Sequence, residues 1–182
     1  MPFFEPIGHA PEPEPEFRPR PPWAGPPSGW LPGIAPSHHI VFQTDDTTLG
    51  VGPCEAYPTG VLLRVHVRFR HPMQVPDHGW FRHRGETTIR FGFEFSDGFR
   101  WTGAEATRPP SSGGQRHVNW DSGDSEPMGE CQHLWLWPLP SQGPIRFVGA
   151  WPAHGIPETE VTVDAREILA AATRAIELWP GG

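Results

Sequence analysis

From about His38 onward, apolar and polar residues alternate with a period of two. The clearest stretch runs from Gly60 to His71. Val61, Leu63, Val65, Val67 and Phe69 fall on one face, and Leu62, Arg64, His66, Arg68 and Arg70 on the other. Successive side chains of an extended chain point to opposite sides, so this pattern predicts a long, half-buried strand. Thr88 to Ser96 repeats it, with Ile89, Phe91, Phe93 and Phe95 inward and Arg90 and Glu94 outward. Ser96-Asp97-Gly98 then predicts a tight turn into a return strand beginning at Phe99, because glycine tolerates positive φ. His38 to Gln43 and Thr47 to Val51 flank Asp45-Asp46 as another hairpin.

Three further strands are predicted over Gln132 to Trp137, Ile145 to Trp151 and Glu160 to Val163. The first is apolar on both faces, Trp135 and Trp137 on one and Leu134 and Leu136 on the other, which calls for cover on both sides. The proline-rich N-terminal segment is the candidate second cover. One helix is expected, over about residues 165–179. Asp164 and Glu167 have the spacing of a capping box, and Ala165, Ile168, Leu169, Ala172, Ile176 and Trp179 recur at helical intervals before Pro180-Gly181. Residues 103–129, rich in proline, serine, glycine and aspartate, are expected to form a long flexible loop. The fold class that follows is all-β: an antiparallel sandwich, immunoglobulin-like as a first expectation, with a C-terminal amphipathic helix over residues 37–182.

Residues 1–36 stand apart. They hold 12 of the 25 prolines and the acidic alternating tract Pro11-Glu12-Pro13-Glu14-Pro15-Glu16. Each proline restricts its predecessor, so an extended or disordered arm is expected. Its aromatics, among them Phe17, Trp23 and Trp30, are suited to docking on the body of the protein or on a partner.

Composition narrows the chemistry. The formal charge is −7 and the chain has no lysine, its 14 basic residues all being arginine. Acidity argues against general nucleic-acid binding, and the missing lysine removes Schiff-base and P-loop mechanisms. No apolar run reaches membrane-spanning length, and the Met-Pro-Phe-Phe-Glu-Pro start lacks the basic and apolar regions of a signal peptide. Two cysteines without a C-x-x-C spacing, Cys54 and Cys131, are read as reduced thiols in a cytoplasmic protein, Cys131 buried and inert.

In the C-terminal third, Trp135-Leu136-Trp137-Pro138-Leu139-Pro140, Gly143-Pro144 and Ala150-Trp151-Pro152-Ala153-His154-Gly155-Ile156-Pro157 resemble an uncharacterised family of small Trp/Pro-rich bacterial β-proteins. Phe93 to Arg100 is similar to that family's middle region, and the likeness spans roughly residues 38–180. The resemblance implies a β-fold and brings no activity, cofactor or catalytic residue.

Candidate chemistry is sparse. His66, His71, His78 and His83 lie close in sequence, and neutral imidazole is a common metal ligand. Against a metal, His66 sits between Arg64 and Arg68 on the outward face of its strand. Gly123-Asp124-Ser125 has a hydrolase-like look but lacks the strand-turn-helix setting a nucleophilic serine needs. The outward stripe Arg64, Arg68 and Arg70 suits carboxylates, including the chain's own Glu94, Asp97 or acidic proline tract. Trp135, Trp137 and Trp151 are candidates for lining a ligand pocket. The function expected is a non-catalytic module that binds another protein through Phe17, Trp23, Trp30 and the arginine stripe, with no cofactor, no nucleic acid and no membrane. The alternatives are a histidine-cluster metal site, with or without catalysis, and small-ligand binding in a tryptophan-lined pocket.

Overall fold

The computed structural model describes residues 20–77, 79–81, 88–103 and 115–180. In chain order the strands are β1 (Trp30–Leu31), β2 (Gly33–Ala35), β3 (His39–Gln43), β4 (Thr47–Val51), β5 (Cys54–Ala56), β6 (Val61–Phe69), β7 (Arg90–Phe95) and β8 (Arg100–Thr102). They continue as β9 (His117–Glu126), β10 (Gly129–Trp137), β11 (Pro144–Trp151) and β12 (Ile156–Asp164), then the helix α1 (Arg166–Ala172) and β13 (Ile176–Glu177).

Among the described residues the strands form two main antiparallel sheets and a two-stranded ribbon of β1 with β13. The larger has seven strands: β2, β5, β6, β10 and β9 in order, with β4 also on β6 and β3 beyond it. The smaller has the order β12-β11-β7-β8. Strand β6 is the hub. One edge pairs with β10 from Val61 to Arg68, and the other pairs first with β5 and then with β4, Thr47 standing opposite Phe69. The alternation read from the sequence is the alternation observed: Val61, Leu63, Val65 and Val67 are at most 1% exposed. Each such side chain contributes roughly 1.5–3 kcal/mol of hydrophobic stabilisation. Phe91, Phe93 and Phe95 of β7 face them together with Phe147 of β11. At one end Phe69, Trp80 and Trp151 meet, Phe69 lying 4.7 Å from Trp80 and 5.8 Å from Trp151 between ring centres. The predicted turn closes β7 onto β8, with Gly98 at φ 84° and Asp97 accepting from the Phe99 amide.

The all-β sandwich is therefore observed. Its seven and four strands exceed the seven to nine of immunoglobulin domains, so the likeness stays at the level of sandwich architecture. Among the described residues no helix is long and apolar enough to cross a membrane.

Three boundaries differ from the sequence reading. Most of 115–129 is not loop: β9 (His117–Glu126) pairs with β10 along its length. It is an edge strand exposed over most of its residues, so pairing rather than burial holds it, and no apolar alternation marks it. Residues 104–114 of the expected loop lie outside the described residues. The helix stops at Ala172 instead of running to 179. Thr173 turns its hydroxyl back to the Ala170 carbonyl, and Ile176 pairs with Leu31. Ile176 and Trp179 are left 59% and 70% exposed, off the apolar stripe assigned to them. The expected capping box does not form: the N-cap is Ala165 without a side-chain cap, Asp164 accepts from the Arg166 amide and Glu167 accepts from the Ser37 hydroxyl. Finally, the N-terminal segment joins the fold, β2 adding to the large sheet against α1. The acidic proline tract lies outside the described residues.

Candidate functional site

The outer face of the large sheet collects most of the residues that the sequence singles out. Trp135, fully buried, packs with Tyr57 and Leu62 under Trp30 and Trp137. Its indole N–H donates to the Pro22 carbonyl at 3.0 Å, and Trp23 stands edge-on to His117 with ring centres 5.4 Å apart. The second cover expected for β10 is thus supplied by the N-terminal segment, and Trp23 and Trp30 are engaged on their own domain. Tyr57, buried in this cluster, has its phenol pushed up to about 12, chiefly by desolvation.

Arg64 pairs with Glu55 and Arg68 with Glu126, 3.3 Å away. The partners anticipated from the sequence, Glu94 and Asp97, are on the other sheet. Arg70 is exposed at the end of the stripe. Trp151 is in the core between the sheets, 5.9 Å from Trp80, so it shares no pocket with Trp135 and Trp137. Phe17 lies outside the described residues, as do His78 and His83. His71 sits 3.8 Å from Asp46, exposed. His66 is held below its ordinary range, first by burial and then by Arg68, His38, Arg64 and His133. Among the described residues no group of three or more His, Cys, Asp or Glu side chains is placed to hold a metal ion.

A row not anticipated from the sequence crosses the same face. Cys131 stands opposite His66 in register, its sulfur 3.9 Å from His133 Nε2, while His133 Nδ1 is 2.8 Å from Ser122 Oγ. The order of thiol, imidazole and hydroxyl imitates a nucleophile, base and orienting group. The electrostatics do not follow. Cys131 is half-buried rather than buried, and desolvation pushes its thiol up despite the nearby arginines. Desolvation lowers the thiolate share at neutral pH, the reverse of the activation a catalytic cysteine needs. Cys54, buried, is pushed up further, to about 12.

The outer face of the small sheet is different. It carries a groove of about 640 Å³, within the size range of small-molecule sites. The outward positions of four strands line it: Arg90, Gly92 and Glu94 of β7, Arg100 and Thr102 of β8, Arg146, Val148 and Ala150 of β11, and Glu158 of β12. Gly92 is dictated by crowding, since a β-carbon there would lie 2.6 Å from the Trp101 carbonyl oxygen. Small residues therefore floor the centre, and charges stand at both ends.

At one end the charges are satisfied. Glu94 accepts from Arg100 at 3.0 Å and from Arg146, which also reaches Glu160 at 3.1 Å. The Arg100 hydrogen bond, followed by that from Arg146, holds the Glu94 carboxyl below its usual range. At the same end Arg116 holds Asp97 low and lies over the Phe95 ring at 5.0 Å. The sequence signal for this groove was present in Arg90-Gly92-Glu94, a glycine where the outward alternation requires a polar side chain, but it does not say which neighbouring strands complete the floor.

Compared with known proteins, the chain matches no family model, no curated protein and no solved structure.

Proposed function

We propose that this protein is a non-catalytic binding module whose ligand site is the groove on the outer face of the β12-β11-β7-β8 sheet. One observation carries the reading: a cavity of ligand size, floored by Gly92, Val148 and Ala150, is built on paired strands of a packed sandwich. Rigid elements hold a site more closely than loops do, so the groove is pre-organised for binding. The Cys131 thiol is pushed up rather than activated, which favours binding over covalent catalysis. The free thiols of Cys54 and Cys131 support a reducing, cytoplasmic setting. The resemblance to small Trp/Pro-rich bacterial β-proteins fits this reading without adding an activity.

A thermal-shift screen of small molecules with apolar bodies, run on wild type and on Val148→Trp, tests the reading. Compounds that stabilise the wild type and lose their effect in Val148→Trp support it. Stabilisation that survives the filled groove overturns it.

Docking of another protein is the second reading, and one observation favours it. On the β1–β13 ribbon Leu31 and Ile176 are 50% and 59% exposed, and Trp179, two residues beyond it, is 70% exposed. Exposed apolar clusters mark interaction surfaces. Capture of a partner by the full chain, abolished by Ile176→Ser with Trp179→Ser, supports this reading; capture indifferent to both changes removes it. The arm contributes less to it than the sequence suggests, because Trp23 and Trp30 are spent on the protein's own sheet.

A further inference from the structure

Two rows of the groove invite comparison, because both cross β7 and β11, four residues apart, one ending on β8 and the other on β12. In the row of Arg146, Glu94 and Arg100 every charge has an opposite partner. In the other row Arg90 stands in register with Ala150. Glu158 follows on β12, between the pairs Gly149 with Thr159 and Trp151 with Ile156. Both Arg90 and Glu158 are exposed, and among the described residues neither forms an ion pair. Two strand spacings separate them, about 10 Å between backbones. Ala150 between them is too short to reach either.

A third unsatisfied group stands beside this row. Thr88 lies two residues before Arg90, lines the same groove and is 8% exposed, yet among the described residues its hydroxyl has no hydrogen-bond partner. A buried hydroxyl without a partner is costly and uncommon in a native fold. It gives a reason, independent of the charges, to expect a polar ligand atom at this end.

We infer that this row binds a free α-amino acid with an apolar side chain. The carboxylate is received by Arg90, with the Thr88 hydroxyl as a second donor; the ammonium is received by Glu158, and the side chain lies over Val148 and Gly92. The inference rests on the reading of the groove as a ligand site. A zwitterion is the ligand that satisfies together a cation and an anion that, among the described residues, form no ion pair, Glu158 acting on Arg146 only at longer range, so neither is covered without compensation. An internal peptide residue carries neither charge, and a chain terminus carries one. The Glu94 row offers no such invitation, because a charged ligand there must first break existing pairs.

The test is calorimetric titration of the full chain with L-phenylalanine, N-acetyl-phenylalanine and phenylalanine amide, repeated on Arg90→Gln, Glu158→Gln and Val148→Trp. Binding of phenylalanine is expected, weakened tenfold or more by either blocking group. Arg90→Gln should remove the penalty of the amide, and Glu158→Gln that of the acetyl group. Equal affinity for all three compounds, lost only in Val148→Trp, overturns the zwitterion inference and leaves the groove as a site. Absence of binding by all three to wild type overturns the inference; the groove then stands or falls by the thermal-shift screen. Binding that survives Val148→Trp overturns both.

Discussion

The two sheets of this sandwich turn very different faces outward. On the large sheet the outer face is closed: Trp135 is fully buried under Trp30, its indole nitrogen is tied to Pro22, and Arg64 and Arg68 are paired to Glu55 and Glu126. On the small sheet the outer face is open between its charged ends, with Gly92, Val148 and Ala150 along the groove. Both inner faces are packed with aromatic and branched side chains, so core quality does not separate the sheets. The outer residues do. Large aromatics recruit a segment of the chain as a cover, whereas small ones leave room that nothing described in the chain fills. Residues conspicuous in a sequence because they are large are then the least available to a partner.

Breaking the closed face should cost most. Trp135→Ala removes a fully buried ring and the Pro22 anchor, and about 3–5 kcal/mol of stability should be lost in denaturant unfolding. Trp30→Ala, which lifts the cover and leaves the sheet itself intact, should cost roughly 1–3 kcal/mol in the same measurement. A cost near zero for both would mean that the N-terminal segment does not seal this face. On the open side Val148→Trp should change stability by no more than about 0.5 kcal/mol, as surface changes do, while abolishing ligand effects.

Acid should separate the faces by pH. His66, on the closed face, has its pKa lowered in the fold. Its stabilising contribution is whole above its unfolded value of about 6.5 and is lost as pH falls towards the folded value. Glu94 and Asp97 belong to the other sheet, and their values are also lowered. Their contributions are whole above the unfolded carboxylate range of about 3.9–4.3 and lost as pH falls through the folded values. In unfolding measured from pH 8 to pH 3, His66→Gln should flatten the upper part of the profile and Asp97→Asn the lower part. An upper part unchanged in His66→Gln would contradict the assignment. The smallest effect concerns the thiols: at pH 7 Cys131 should alkylate slowly and Cys54 not at all in the native state, as their raised pKa values and burial require.

Much of the sandwich was legible because alternation is a local record of a half-buried sheet. The hydrophobic face of β6, the β7–β8 hairpin and the apolar double face of β10 all follow from it. Strand β9 was not legible, since Asp121 to Glu126 is exposed on an edge and held by backbone pairing with β10. The end of α1 was also hidden, because Ile176 fits a helical stripe as well as it fits its pairing with Leu31. For the site, the sequence pointed to tryptophans and histidines; Trp151 is core, Trp135 and Trp137 belong to the covered outer cluster and His71 is exposed, while His78 and His83 lie outside the described residues. Arg90, Ala150 and Glu158 come from β7, β11 and β12, and only sheet register places them in one row.

The most direct measurement is amide and indole NMR of the full chain during titration with a small-molecule mixture of apolar bodies. The account requires shift changes along β7, β8 and β11, with the Trp135 indole resonance unmoved. Changes centred on Trp135, β6 and β10, with β7 and β11 silent, would contradict it.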